Sequence, residues 1–95
     1  FDISWDEVAK YAVSSQAAID RLAQLLNAYP DRFLFGTDNV APQDQATQMR
    51  VYDMWSPIWA KLTPEASRKV RLGTYERLFD SARTRVRAWE AANVK

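Results

Sequence analysis

The residue order predicts an α/β chain organised around a strand, helix, strand unit, and three features carry that expectation. Phe1-Asp2-Ile3-Ser4 reads as a strand already in progress. Ile19, Leu22, Ala23 and Leu26 fall at i, i+3, i+4 and i+7, which places them in one apolar stripe of a helix. Arg32-Phe33-Leu34-Phe35 is short, apolar and flanked by turn formers, the pattern of a strand buried on both faces of a parallel sheet. Strand, helix, strand in that order is the βαβ unit of an α/β fold.

The remaining elements follow from local signals. Ser4 and Glu7 have the S-x-x-E spacing of a capping box, so a short helix is expected from about Trp5 to Val13. Ser14 or Ser15 can cap the second helix, which stops before Pro30 because proline disfavours helical geometry in its predecessor. After Phe35 comes a loop through Pro42, then a helix from about Gln43 to Lys61 with Val51, Trp55, Ile58 and Leu62 facing inward. Pro57 is expected to kink or interrupt it. Thr63 followed by Pro64 is a helix start, and Gly73 is placed to end that helix in a left-handed conformation. Thr74 then caps a final helix whose Tyr75, Leu78, Phe79, Ala82, Val86 and Trp89 recur at helical spacing.

Composition narrows the function classes. A hydrophobic content of 47% argues for a chain that buries a core and against intrinsic disorder. No apolar run approaches the roughly 18 residues of a membrane span, and no signal-peptide pattern opens the chain. With no cysteine, disulfides and thiolate metal sites are excluded. The first half is net acidic and the second net basic, but Arg77, Arg83, Arg85 and Arg87 alternate with core-type residues at helical spacing. They read as a solvated helix face, and no nucleic-acid-binding motif accompanies them. The Met49, Met54, Trp55 and Trp59 group reads as core or interface material.

The candidate site centres on Asp38, a carboxylate that follows the apolar run ending at Phe35. Carboxylates at the carboxyl ends of strands carry chemistry in barrel enzymes. Gly36-Thr37-Asp38-Asn39 is also ordinary turn composition, since Gly tolerates positive φ and Asp or Asn bond to nearby amides.

The run Tyr29-Pro-Asp-Arg-Phe-Leu-Phe-Gly-Thr-Asp38, with Thr63-Pro-Glu-Ala and Gly73-Thr-Tyr-Glu-Arg-Leu-Phe79, resembles the carboxyl-terminal part of the amidohydrolase superfamily. The likeness is to its branch of metal-dependent hydrolases and decarboxylases, the aminocarboxymuconate-semialdehyde decarboxylase-like enzymes. It implies that residues 1 to 95 are a carboxyl-terminal fragment of a (β/α)₈ TIM barrel, which needs roughly 250 residues when complete. Phe1 to Ser4 would be strand seven, residues 15 to 29 helix seven, Arg32 to Phe35 strand eight, and the rest terminal helices.

By the same resemblance Asp38 would contact a catalytic divalent metal, zinc or manganese, and take the proton of an attacking water. Ser4, Trp5 and Asn39 would lie at the mouth where a small-molecule substrate enters, although for Trp5 packing on the first turn of its helix is the preferred reading. The family's histidine ligands belong to earlier strands, and this chain has no histidine. Its partner would be the remainder of the barrel, the complete enzyme a cytoplasmic homo-oligomer, and the isolated chain inactive. Thr74 departs from the family, which more often has Asn after that glycine. The competing expectation is a small, mostly helical protein-interaction module without catalysis, in which Gly-Thr-Asp is only a turn.

Overall fold

The computed structural model describes all 95 residues and corrects the expected fold class. Six α-helices carry the chain: α1 Asp6–Ala12, α2 Gln16–Ala28, α3 Gln45–Met54, α4 Ser56–Trp59, α5 Pro64–Arg68 and α6 Thr74–Asn93. A 3₁₀ turn at Pro30–Arg32 follows α2, and a π-helical turn at Lys69–Gly73 joins α5 to α6. There is no strand and no sheet, so the chain is not an α/β barrel fragment. No helix is long and apolar enough to cross a membrane.

The two expected strands reduce to a single parallel bridge between Asp2 and Leu34. The Ile3 amide donates to the Leu34 carbonyl at 3.0 Å, and the Leu34 amide donates to the Phe1 carbonyl at 2.9 Å. The ladder stops there for two reasons. Pro30 draws Arg32 into the 3₁₀ turn, which removes one end of the second strand. At the other end the Phe35 amide donates to the Val70 carbonyl in the π-helical turn, at 3.1 Å, and not to a neighbouring strand.

Helix α2 forms as its spacing dictates. The Ser15 side chain accepts from the Ala18 amide at 3.1 Å, and Ile19, Ala23 and Leu26 are buried along one face. Asn27 clamps the end of this helix to the body: its side chain donates to the Lys61 carbonyl at 3.0 Å and accepts from the Thr63 amide at 2.9 Å. Pro57 does interrupt the third expected helix. α3 ends at Met54, Trp55 turns the chain, and α4 begins at Ser56. Val51, Trp55 and Ile58 are buried, while Leu62 is partly buried against the same core. Thr63 caps α5 by accepting from the Ala66 amide at 3.1 Å.

Phe35 sits at the centre of the aromatic core. Tyr52, Trp55 and Trp59 all meet its ring edge to face, with centroids 4.9, 5.6 and 5.0 Å away. Trp55 and Trp59 stack on each other at 5.5 Å, and both indole N–H groups are buried without a hydrogen-bond partner. Such edge-on contacts add about 0.5–1.5 kcal/mol each beyond burial.

Three local expectations fail. The capping box does not form: Trp5 is the residue before α1, with no side-chain cap bond, and the Ser4 amide donates to the Asp2 carboxylate at 2.8 Å. Gly73 is right-handed, at φ −63°, because the π-helical turn runs on into α6 without a stop. Thr74 is consequently the first residue of α6, and its hydroxyl donates to the Pro30 carbonyl at 3.1 Å. It is also the only buried residue of that helix.

Candidate functional site

Asp38 lies in the loop between Phe35 and α3, and two interactions from the first turns of α3 fix that loop. The Asn39 side chain donates to the Thr47 carbonyl at 3.1 Å, and the Gln48 side chain donates to the Thr37 hydroxyl at 2.8 Å. The turn that receives them is itself held by Asp44, whose carboxylate accepts from the Thr47 amide at 2.7 Å. That backbone hydrogen bond pulls the Asp44 carboxyl below its ordinary range. Asp38 is thus flanked on both sides by anchored residues, and it adopts a left-handed conformation with φ 48°.

The opposite wall starts at Trp5, which has φ 93° and ψ 141°. A non-glycine residue so far from the allowed regions costs about 1–3 kcal/mol and persists only where its surroundings over-determine it. Here Ile3 is tied to Leu34 on one side and α1 begins on the other. Gly36 completes the closure. A Cβ there would meet the Ser4 hydroxyl at 3.0 Å, so the absence of a side chain lets the two segments touch.

Between these walls is a cavity of about 220 Å³ lined by Trp5, Asp6, Thr37, Asp38, Asn39 and Val40, with Thr47, Arg50, Val51 and Met54 from α3. Of the residues the sequence pointed to, Asp38, Trp5 and Asn39 do share one cavity. Ser4 does not line it; it packs beneath, against Gly36. Hydrogen bonds from the Ser4 hydroxyl and amide lower the carboxyl pKa of Asp2, which makes Ser4 part of the bridge and not of the cavity wall. Asp6 and Arg50 were missed. Asp6 follows Trp5 in the chain, but nothing in its own spacing marks it, and Arg50 reaches the cavity only through the fold of α3.

Two carboxylates and one guanidinium therefore line an otherwise mixed apolar and polar hollow. Two nearby acids do not make a metal centre, since a catalytic site takes three or four protein ligands. Nowhere does the chain gather three or more His, Cys, Asp or Glu side chains that could hold a metal ion. Its own residues do not fit a complete zinc or manganese site. What they do provide is an accessible carboxylate, held in a strained backbone beside an aromatic ring and a cation.

Searches against protein-family models, curated proteins and solved structures gave no match.

Proposed function

We propose, from the resemblance of the Tyr29 to Asp38 run and despite a helical fold that is not a barrel segment, that this chain is part of a metal-dependent hydrolase or decarboxylase akin to the amidohydrolase superfamily, acting on a small molecule, with Asp38 as its catalytic carboxylate. The remaining ligands of a zinc or manganese ion would have to come from residues outside these 95, and the chain alone would be inactive. Asp38 accepts the proton of the attacking water at one carboxylate oxygen, which general-base catalysis rewards by about 10²–10⁴-fold in rate. Trp5 and Asn39 form the substrate-facing walls.

The observation that carries the reading is the strained pair: Trp5 and Asp38, distant in sequence, both hold positive φ and line one cavity. Backbone strain of this kind collects at active sites, where geometry is held against local preference. In the metal-loaded enzyme that contains this segment, Asp38→Asn is expected to lower turnover by two orders of magnitude or more while leaving the circular dichroism spectrum unchanged. Near-normal turnover of the Asn variant with metal fully bound would remove Asp38 from the chemistry. Isothermal titration of the 95-residue chain with zinc should show no submicromolar site, in keeping with its lack of a ligand cluster.

A second reading, a helical interaction module without catalysis, draws on a different observation: the apolar side chains of α6 are turned outward. Full activity of an enzyme lacking Asp38 would favour it.

A further inference from the structure

Helix α6 leaves the body after its first turn. Its contacts run to the π-helical and 3₁₀ turns, and Thr74 is its one buried residue. The whole helix is 20 residues, about 30 Å at 1.5 Å per residue, and beyond that first turn it presents an apolar face that nothing in the chain covers. Tyr75, Phe79, Val86 and Trp89 are 49%, 51%, 52% and 62% exposed.

These positions are not scattered. Tyr75, Phe79, Ala82, Val86, Trp89 and Asn93 are separated alternately by four and three residues, the repeat of a coiled-coil seam. Phe79, Val86 and Asn93 take the a positions, and Tyr75, Ala82 and Trp89 the d positions. The stacking of Tyr75 on Phe79, with ring centroids 4.7 Å apart, confirms that successive seam residues share one face.

We propose that α6 pairs with α6 of a second copy of this chain as a parallel, in-register coiled coil. The flanking charges choose the partner and its direction. In a parallel pair each g residue faces the e residue five positions on in the other helix, so Arg85 faces the partner's Glu90, and twofold symmetry repeats the pair. In an antiparallel pair e faces e and g faces g, which sets Glu76 against Glu90, Arg83 against Arg83 and Arg85 against Arg85. Like charges in those places oppose the antiparallel arrangement. Asn93 at an a position is the kind of polar seam residue that fixes register. Glu90 accepts from Arg87 at 2.7 Å within one helix, and both side chains are exposed enough to rearrange. This pairing does not depend on the role of Asp38.

Sedimentation equilibrium of the 95-residue chain should report a mass that rises to twice the monomer with concentration. Glu90→Arg is expected to raise the dissociation constant roughly tenfold, and Arg85→Glu combined with Glu90→Arg to restore it, since the exchange of charges re-forms both symmetry-related surface ion pairs. Because the chain has no cysteine, single introduced thiols report direction. Under mild oxidation Val86→Cys should give a covalent dimer and Arg87→Cys should not. A monomer at every concentration, or a dimer insensitive to Glu90→Arg, would overturn the proposal. So would equal cross-linking at the two positions. The helical circular dichroism signal verifies that each variant is folded; all of them lie on the exposed arm, away from the core.

Discussion

The Asp38 loop and helix α6 are both exposed, and they are held in opposite ways. The loop has no repeating structure, yet side-chain hydrogen bonds from Asn39 and Gln48 and the Asp44 cap below them pin it residue by residue. Helix α6 satisfies its own backbone and is attached at its beginning, through Thr74 to Pro30, Arg77 to the Asp31 carbonyl and the Glu76 carboxylate to Arg68. The comparison separates order from anchorage. A loop can be fixed by a few convergent polar contacts, whereas a regular helix can remain free to meet another molecule.

The largest test of that contrast is truncation of one tryptophan in each region. Trp55 is fully buried, and Trp55→Ala should cost about 3–5 kcal/mol in urea unfolding, a large share of the total for a domain of this size. Trp89→Ala should change the stability of the monomer by no more than about 0.5 kcal/mol. Equal losses would mean that the arm is packed on the body after all. Trp55→Phe is expected to cost less than Trp55→Ala, because it keeps an aromatic ring against Phe35 while deleting the unpartnered indole N–H.

A smaller effect of opposite sign is expected at the loop. Asp38→Gly relieves the left-handed backbone and should stabilise the chain by up to about 1 kcal/mol, measured as a raised urea midpoint, while removing the carboxylate. A loss of stability would mean that the Asp38 side chain, and not its neighbours, holds the loop.

The smallest effect is a pH dependence. The Asp44 carboxyl titrates below its ordinary value because the Thr47 amide donates to it in the folded chain. A carboxyl with a depressed folded pKa lends stability above its unfolded pKa and loses it as the pH falls through the folded one. The protection of the Thr47 amide, its exchange rate relative to an unstructured amide at the same pH, should therefore hold at neutral pH and fall only as Asp44 protonates in acid. In Asp44→Ala that protection should be low at every pH.

What the sequence disclosed were features written in neighbouring residues. The Ser15 and Thr63 caps, the stripe of α2 and the break before Pro57 each depend on a few adjacent side chains, and each is present. The strands were misread because a short apolar run becomes a strand only when a neighbour supplies the ladder, and here the Phe35 amide is taken by Val70. The positive φ of Trp5 was hidden for the same reason: it is imposed from outside by the bridge at Ile3 and the start of α1. Asp38, Trp5 and Asn39 could be gathered into one site from the primary structure, but Arg50 reaches the cavity only because α3 folds back over the loop.

The π-helical turn at Lys69–Gly73 sets the rotational phase of everything after it. Its hydrogen bonds run to the fifth residue on, so it holds one residue more than an α-helical turn would. Each residue of an α-helix advances about 100° around the axis. Deleting a single residue there would swing the whole distal rod by about a quarter of a revolution, presenting a charged flank where aromatic rings now stand. One codon in a turn that touches neither rod tip nor cavity thus acts as a rotary dial for what the molecule shows to its surroundings.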